Sequence, residues 1–171
     1  MKILNMNALI VLFFFISFFN NYAKDEKTES DSTFVFELKE FYDGKGVVFS
    51  KDVSPDGRKV ETDKRISLTL KDAIEAEKMI DSSVKVIYKD DKDRENKVRT
   101  KLRGYYRQYW GIKSTSDEKK IYLYMYNFND PVIRGLMEDY WDKAAIFITA
   151  LGSDSILTLS INLTKRQIED D

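Results

Sequence analysis

Residues 101–113, KLRGYYRQYWGIK, and residues 120–128, KIYLYMYNF, decide the fold of this chain. Within each stretch two kinds of side chain alternate with a period of two, as they do on the two faces of a β-strand. The polar residues between the two stretches are typical of a turn. The sequence therefore predicts an antiparallel hairpin, with its turn at Ser116 and Asp117.

The register of this predicted hairpin brings similar side chains together on each face. With that turn, Trp110 lies opposite Leu123 on an apolar face, and Tyr109 lies opposite Tyr124 on the other face. A slip of one residue would turn the apolar face of one strand outward. The matched alternation of the two strands therefore supports the register.

A strand that begins near residue 97 would carry basic and aromatic side chains on one face. An Arg guanidinium binds carboxylate, sulfate or phosphate through two parallel hydrogen bonds, and aromatic rings stack on sugars and other flat groups. We interpret this face as a candidate ligand-binding surface centred on Arg107. Its residues are Lys101, Arg103, Tyr105, Arg107, Tyr109, Tyr122, Tyr124 and Tyr126.

The same residues also have a purely structural interpretation. Cross-strand Tyr–Tyr and Arg–Tyr pairs stabilise a sheet by about 0.2–1 kcal/mol, and another element could cover the face and make it a second core. The first part of the stretch could also be helical, because Val98, Leu102 and Tyr106 are four residues apart. Trp110 and Trp141 are expected to be core residues.

The strongest helix pattern in the chain follows Thr69. Apolar side chains recur there at helical spacing, and Asp72 and Glu75 lie early, where the helix dipole favours acids. We expect a helix from about residue 69 to residue 88. The charged segment 89–97, KDDKDRENK, is expected to be a solvated connection, since it lacks the Gly and Glu that a calcium loop requires.

The flanking segments predict further strands and a short helix. Residues 33–41 and 47–53 are expected to form an N-terminal β-hairpin, and residues 59–67 a further short strand. Asp130 and Pro131 are a typical N-cap and first helical residue. The apolar face of that helix is expected to consist of Val132, Leu136 and Tyr140.

The C-terminal residues predict the last two strands. Residues 144–151, AAIFITAL, and 155–164, SILTLSINLT, surround a turn-like GSDS and are expected to pair as a hairpin. The predicted fold is α+β. It has one long helix packed on an antiparallel sheet of four C-terminal strands, preceded by the N-terminal β-hairpin.

The first 23 residues have the pattern of a signal peptide. Lys2 precedes an apolar run from Ala8 to Phe19, which is short for a bilayer span of about 20 residues. We expect cleavage near Ala23, a polar tether over 24–32 and a single α+β domain over 33–171. An uncleaved anchor is the alternative, and would be the only membrane contact. Because the chain has no Cys, we expect a bacterial protein of the periplasm or the exterior.

Composition excludes several kinds of chemistry. The 171 residues include no Cys and no His, so disulfides, thiolate metal sites and His-dependent catalytic triads are excluded. The net charge of −1 gives no general attraction to nucleic acid. We expect no metal, no cofactor, no catalytic residue and no nucleic-acid partner. Glu77, on the apolar side of the predicted helix, is the carboxylate whose burial would raise its pKa.

Two short motifs resemble a known group of proteins. Their residues are Tyr106, Arg107, Gln108, Tyr109 and Gly111, followed by Asn162, Leu163 and Thr164. Over residues 68–166 the chain resembles small exported proteins of Bacteroidota bacteria, and this resemblance implies a compartment but no activity. The order of a helix followed by four strands is similar to cystatin-like and NTF2-like folds. The Gln-x-Val-x-Gly inhibitor loop of the cystatins is not in the sequence.

These observations favour an exported, non-enzymatic binding or interaction module. Its expected partner is an anionic glycan, a cell-envelope polymer, or a peptide or protein. One alternative is a small hydrolase that uses carboxylates on envelope or dietary polymers. Another alternative is an inhibitor of a partner protein.

Overall fold

The computed structural model describes residues 32–38, 44–53, 64–143 and 155–169. These residues form seven strands and three helices, which confirms the α+β class. The elements are β1 (Phe34–Glu37), β2 (Lys45–Val48), β3 (Arg65–Ile66), α1 (Leu70–Ile87), α2 (Lys92–Arg103), β4 (Tyr105–Lys113), β5 (Lys119–Asn127), α3 (Pro131–Met137), β6 (Ile156–Asn162) and β7 (Gln167–Glu169).

All seven strands belong to one mixed sheet. Its order is β1-β2-β4-β5-β6-β7, and β3 pairs with β4 beside the end of β2. Strands β1 and β2 pair antiparallel as predicted, but β2 runs parallel to β4. The prediction of four antiparallel strands with one long helix is therefore wrong. The N-terminal hairpin extends the main sheet, and a second long helix follows the first.

Helix α1 begins and ends within one residue of its prediction. The Thr69 hydroxyl accepts a hydrogen bond from the Asp72 amide over 3.2 Å, and the Asp72 carboxylate accepts one from the Thr69 amide over 2.8 Å. This capping box satisfies two amides that the first turn leaves without partners. Ala73, Ala76 and Ile80 are on the buried side of the helix.

Helix α2 occupies most of the segment that the sequence assigned to a solvated connection, so that assignment is wrong. Asp91 caps it by accepting a hydrogen bond from the Arg94 amide over 3.0 Å. Arg99 forms an ion pair with Asp81 of α1, which ties the two helices together. Acidic residues in the first turn and basic residues in the last also favour the helix dipole. The alternative of a helical start to the aromatic stretch is confirmed.

The register of the β4–β5 hairpin differs from the prediction by one residue. Tyr109 faces Leu123 rather than Tyr124, and Trp110 faces Tyr122. The cause is the loop, since Asp117 adopts a left-handed conformation with φ of 65° and its amide bonds to the Ser114 carbonyl. Odd-numbered residues of both strands consequently share one face, and even-numbered residues share the other.

Both faces of the central sheet are buried. Helix α1 and Leu102 of α2 pack with the odd-numbered face, in a core that includes Val48, Tyr105, Tyr109, Ile121, Leu123, Met125 and Ile161. Helix α3 packs with the even-numbered face, in a second core of Val47, Phe49, Trp110, Tyr124, Tyr126, Ile133, Met137 and Trp141. In the last part of the chain, Ile161 belongs to the first core, and Leu157, Leu159 and Leu163 pack against it. The polar residues Ser160 and Asn162, which alternate with them, are buried as well.

Helix α3 has the predicted start but not the predicted buried face. Asp130 Oδ1 accepts a hydrogen bond from the Val132 amide over 2.9 Å, and Pro131 is the first helical residue. The buried residues are Ile133 and Met137. The predicted apolar stripe of Val132, Leu136 and Tyr140 is therefore wrong: all three are exposed. The two stripes are one position apart in sequence, and packing on the sheet selects the inner one.

Several predictions concern residues that lie outside the described part of the chain. These are the signal peptide over 1–23, almost all of the tether over 24–32, the strand over 144–151 and most of the GSDS turn. Among the described helices, none is both long enough and apolar enough to cross a membrane.

Candidate functional site

The eight predicted surface residues lie in three different places, so the single surface is wrong. Tyr105, Arg107 and Tyr109 are fully buried beneath α1, with 0% of each exposed. Tyr124 and Tyr126 are buried on the opposite face of the sheet, and Tyr122, on that same face, is half-buried. Lys101 and Arg103 are exposed, but on α2 rather than on a strand. The one-residue change of register and the covering helices cause this separation.

A buried ionic cluster occupies the space between α1 and β4. Glu77 is fully buried, and its Oε1 lies 3.0 Å from Arg107 Nε. The Tyr109 hydroxyl donates a hydrogen bond to the same Oε1 over 2.7 Å. Burial raises the pKa of Glu77 and the Arg107 charge opposes that rise, while burial and the nearby Glu77 raise the pKa of Tyr109. In the part of the chain that the structure describes, all three side chains of this cluster are 0% exposed, so it is a core cluster and not a surface.

Arg107 also holds the turn that joins α2 to β4. Its Nη1 donates a hydrogen bond to the Tyr105 carbonyl over 2.6 Å, and its Nη2 donates to the Leu102 carbonyl over 3.3 Å. The two carbonyls lie on either side of Arg103 and Gly104. One planar guanidinium therefore joins the last turn of α2 to the first residue of β4.

An open cleft of about 710 Å³ lies beside this turn. Its volume falls within the range of about 300–1,000 Å³ that small-molecule sites usually have. The cleft is formed where five elements or their connections meet. Its lining residues are Lys45, Thr100, Arg103, Gly104, Tyr106, Phe128, Asn129, Arg134, Glu138 and Trp141.

Close backbone approach brings two walls of this cleft together at Gly104. The Phe128 amide donates a hydrogen bond to the Gly104 carbonyl over 3.0 Å. A Cβ atom on Gly104 would lie 2.0 Å from Asn129 Nδ2, so any larger residue would displace the Asn129 side chain. Because Asn129 is exposed, its side chain can move, so a larger residue at position 104 would rearrange the edge of the cleft.

Three aromatic rings pack together at the cleft. Tyr106 and Phe128 are stacked, with ring centroids 3.8 Å apart and an angle of 14° between the planes. Trp141 meets Tyr106 edge-on at 4.9 Å. Gln108 Nε2 donates a hydrogen bond to the Trp141 carbonyl, which fixes Trp141 against the sheet. The rings give the cleft a preformed apolar wall.

The charges that line the cleft are mostly positive. Lys45, Arg103 and Arg134 are exposed cations, and Glu138 is the single acid of the lining. Arg134 Nε donates a hydrogen bond to the Phe128 carbonyl over 2.9 Å, which holds its guanidinium beside the aromatic wall. Within the described ranges no carboxylate forms an ion pair with any of these three cations. The described lining therefore carries a net positive charge, with three cations and one acid.

A second groove of about 410 Å³ has four lining cations, of which two are paired with acids. It is lined by Lys51, Arg65, Lys113 and Lys119, among others. Asp117 lies 2.5 Å from the Lys113 ammonium, and the Asp72 carboxylate lies 2.6 Å from Lys119. Because two of its cations are paired with acids and its described lining includes no aromatic ring, we take the cleft beside Gly104 as the candidate site.

The described lining of the cleft beside Gly104 includes one carboxylate, that of Glu138. Glycoside hydrolysis uses a pair of carboxyl groups. No group of three or more acids that could hold a metal occurs in the part of the chain that the structure describes. The arrangement is suited to binding: cations for an anionic group, and rings for a flat or apolar face.

Of the eight predicted residues, only Arg103 lines the cleft. Sequence reasoning missed Lys45, Tyr106, Phe128 and Arg134 as site residues. Lys45, Tyr106 and Phe128 each lie at or next to the end of a strand, whereas Arg134 lies in the middle of α3. Nothing in the sequence indicates that these positions meet.

Comparison of the chain with protein-family models, with curated proteins and with solved structures finds no match in any of the three. The resemblance to exported proteins of Bacteroidota stays a prediction. The proposed function below depends on the geometry of the cleft.

Proposed function

We propose that this protein is a non-enzymatic binding module that takes an anionic saccharide in the cleft between α2, β4 and α3. The observation that carries the proposal is the combination of Lys45, Arg103 and Arg134, without acidic partners in the described part, around the Tyr106–Phe128 stack. A uronate or sulfated sugar has both features that this lining fits. Its acidic group suits a guanidinium, and its ring face suits an aromatic wall.

Two features favour a saccharide over other anions. A free phosphate or a small acid would use the cations but leave the aromatic wall without a partner. An acidic peptide would use the cations, but its flexible side chains make less use of a preformed flat wall. The cleft is open and extends over several residues, which suits one or two sugar units of a longer chain.

We also propose that the protein acts outside the cytoplasm, in the periplasm or the exterior of a bacterium. The support is the apolar run of residues 8–19 behind Lys2, which has the length of a signal peptide. The mature protein is expected to begin near Lys24. If N-terminal sequencing of the secreted protein found Met1, cleavage near Ala23 would be contradicted.

The binding proposal is tested by titrating the protein with a heparin-derived tetrasaccharide, and with neutral maltotetraose as the matched uncharged sugar. We expect measurable affinity for the first only, and affinity that falls as salt is added. Arg103→Gln is expected to weaken binding about tenfold, since it removes a charge-assisted contact worth about 1.4 kcal/mol.

Arg94→Gln is the matched control for Arg103→Gln. Arg94 is exposed on the same helix, nine residues earlier and about 14 Å away along its axis, and its guanidinium lies over Tyr88 instead of lining the cleft. Equal weakening by both variants would show general charge attraction and sink the proposed site. Equal binding of the two sugars would contradict the proposal that the ligand is anionic. Tighter binding of an Asp- and Glu-rich peptide would contradict the proposal that the ligand is a saccharide.

A further inference from the structure

Neither residue of the turn, Arg103 or Gly104, packs a side chain into the core. Arg103 is exposed and Gly104 has no side chain. What holds the turn from inside is the guanidinium of Arg107, which bonds to the Leu102 and Tyr105 carbonyls. The position of this cleft wall therefore depends on a residue that does not line the cleft.

The same turn is continuous with the aromatic wall. The Gly104 carbonyl accepts a hydrogen bond from the Phe128 amide over 3.0 Å, and Phe128 stacks on Tyr106. Movement of the turn would shift this carbonyl and with it the ring of Phe128. Arg107 is thus connected to the proposed ligand contacts through the turn: its guanidinium bonds to the turn, and the turn bonds to Phe128.

The place of the Arg107 guanidinium is in turn set by Glu77. The carboxylate lies 3.0 Å from Arg107 Nε, and the helix that carries it is fixed on the sheet by a buried apolar face. Gly44 lies against the Arg107 guanidinium, and its lack of a side chain leaves space for that group. A Cβ atom at Gly44 would lie 3.0 Å from Arg107 Nη1 and 2.8 Å from the Tyr105 carbonyl oxygen. A planar fork fills this space, and an ammonium would not reach both carbonyls together.

We infer that Arg107 is a positioning residue for the cleft, held by Glu77, and that it sets the geometry of Arg103 and of the Tyr106–Phe128 stack from within the core. The inference deepens the proposed function and, as far as it concerns affinity, rests on it. The positioning itself is a property of the free protein and can be measured without any ligand.

The test compares amide hydrogen exchange of the full protein without ligand, in wild type, Arg107→Lys and Ile161→Val. Ile161 is the control because it is fully buried in the same core, on β6, two strands away from β4. Exchange of the Phe128 amide is expressed relative to the Leu123 amide in the centre of β5. We expect this ratio to rise about tenfold in Arg107→Lys and less than about threefold in the control.

An unchanged ratio in Arg107→Lys would overturn the inference. If that variant does not fold, Glu77→Gln takes its place, because the amide has nearly the shape of the carboxylate and leaves both backbone contacts of Arg107 possible. We expect the ratio to rise about threefold in Glu77→Gln. A wild-type ratio in the folded Glu77→Gln protein would equally overturn the inference.

The second arm measures affinity for the heparin-derived tetrasaccharide. Arg107→Lys is expected to weaken it about tenfold, whereas Ile161→Val leaves it within about twofold. Absence of binding by wild type would end the proposed function and leave the exchange result to decide the role of Arg107. Binding that is unchanged in Arg107→Lys despite faster Phe128 exchange would show that the turn does not set affinity, which also overturns the inference.

Discussion

Replacement of Tyr109 by Phe would remove one oxygen atom from the interface between α1 and the sheet. The hydroxyl donates to Glu77 Oε1 over 2.7 Å, and both residues are fully buried. The ring that remains would keep its contact with Phe36, whose centroid lies 5.5 Å away. The substitution therefore isolates one hydrogen bond without changing the packing.

The expected cost follows from the partners of the Glu77 carboxylate. Its Oε2 is buried without a hydrogen-bond partner in the described part of the protein, so Oε1 makes the polar contacts. After the substitution, Arg107 is the remaining partner of Oε1. A buried hydrogen bond to a charged group contributes about 1.5–3 kcal/mol, and we expect Tyr109→Phe to lower the free energy of unfolding by about 2 kcal/mol.

The assay is equilibrium unfolding in urea, with an unchanged m-value showing that the substitution alters stability and not compactness. Tyr140→Phe is the matched control, because Tyr140 is 55% exposed and should change stability by no more than about 0.5 kcal/mol. A cost for Tyr109→Phe as small as that of the control would refute the reasoning. It would mean that the Glu77 carboxylate does not depend on this hydroxyl.

The pH dependence of the free energy of unfolding tests the contact between Tyr109 and Glu77 in a second way. Burial raises the pKa of Glu77 above its ordinary value of 4.5, so the folded protein binds a proton more tightly than the unfolded chain. Stability attributable to Glu77 consequently falls as the pH rises from about 4.5 through the folded pKa. Because the Tyr109 hydroxyl lowers that pKa, Tyr109→Phe should move the fall to higher pH, and Glu77→Gln should abolish it.

Two further predictions concern α3 and the last hairpin. Met137→Ala should cost about 2–5 kcal/mol because Met137 is fully buried, whereas Leu136→Ala should stay within about 0.5 kcal/mol, as measured by urea unfolding. The reverse order would mean that α3 packs by its predicted face. Hydrogen bonds from Lys165 and Asn162 lower the pKa of Glu118 to about 2, so its stabilising effect should be lost only as the pH falls from 4.5 through that value. An NMR titration of Glu118 should give a higher pKa in Lys165→Gln, and an unchanged pKa would contradict the contact.

The sequence by itself determined the local elements with strong signals. Thr69 and Asp72 specify the start of α1 through a capping box that lies within four residues, and Asp130 with Pro131 does the same for α3. The period-two alternation of β4 and β5 likewise predicted a paired hairpin, which the structure contains. These features depend on neighbours along the chain, and therefore on information that a short stretch carries.

Two predictions were wrong by a single residue: the register of the β4–β5 hairpin and the buried face of α3. The left-handed Asp117 changes the loop and with it the register, which moves the partner of Tyr109 from Tyr124 to Leu123. In α3, adjacent apolar stripes compete, and contact with the second core selects Ile133. Period-two and period-3.6 patterns show that a face exists, but not which way it turns.

Only the tertiary structure decided the candidate site. The tyrosine strands looked like an exposed surface because a Tyr–Arg alternation suits water and a core alike, and Glu77 on α1 is what makes burial of Arg107 tolerable. The cleft joins Lys45, Arg103 and Arg134, which lie far apart in the chain. Their meeting follows from the parallel pairing of β2 with β4 and from the packing of α3, both of which are long-range contacts that no local pattern encodes.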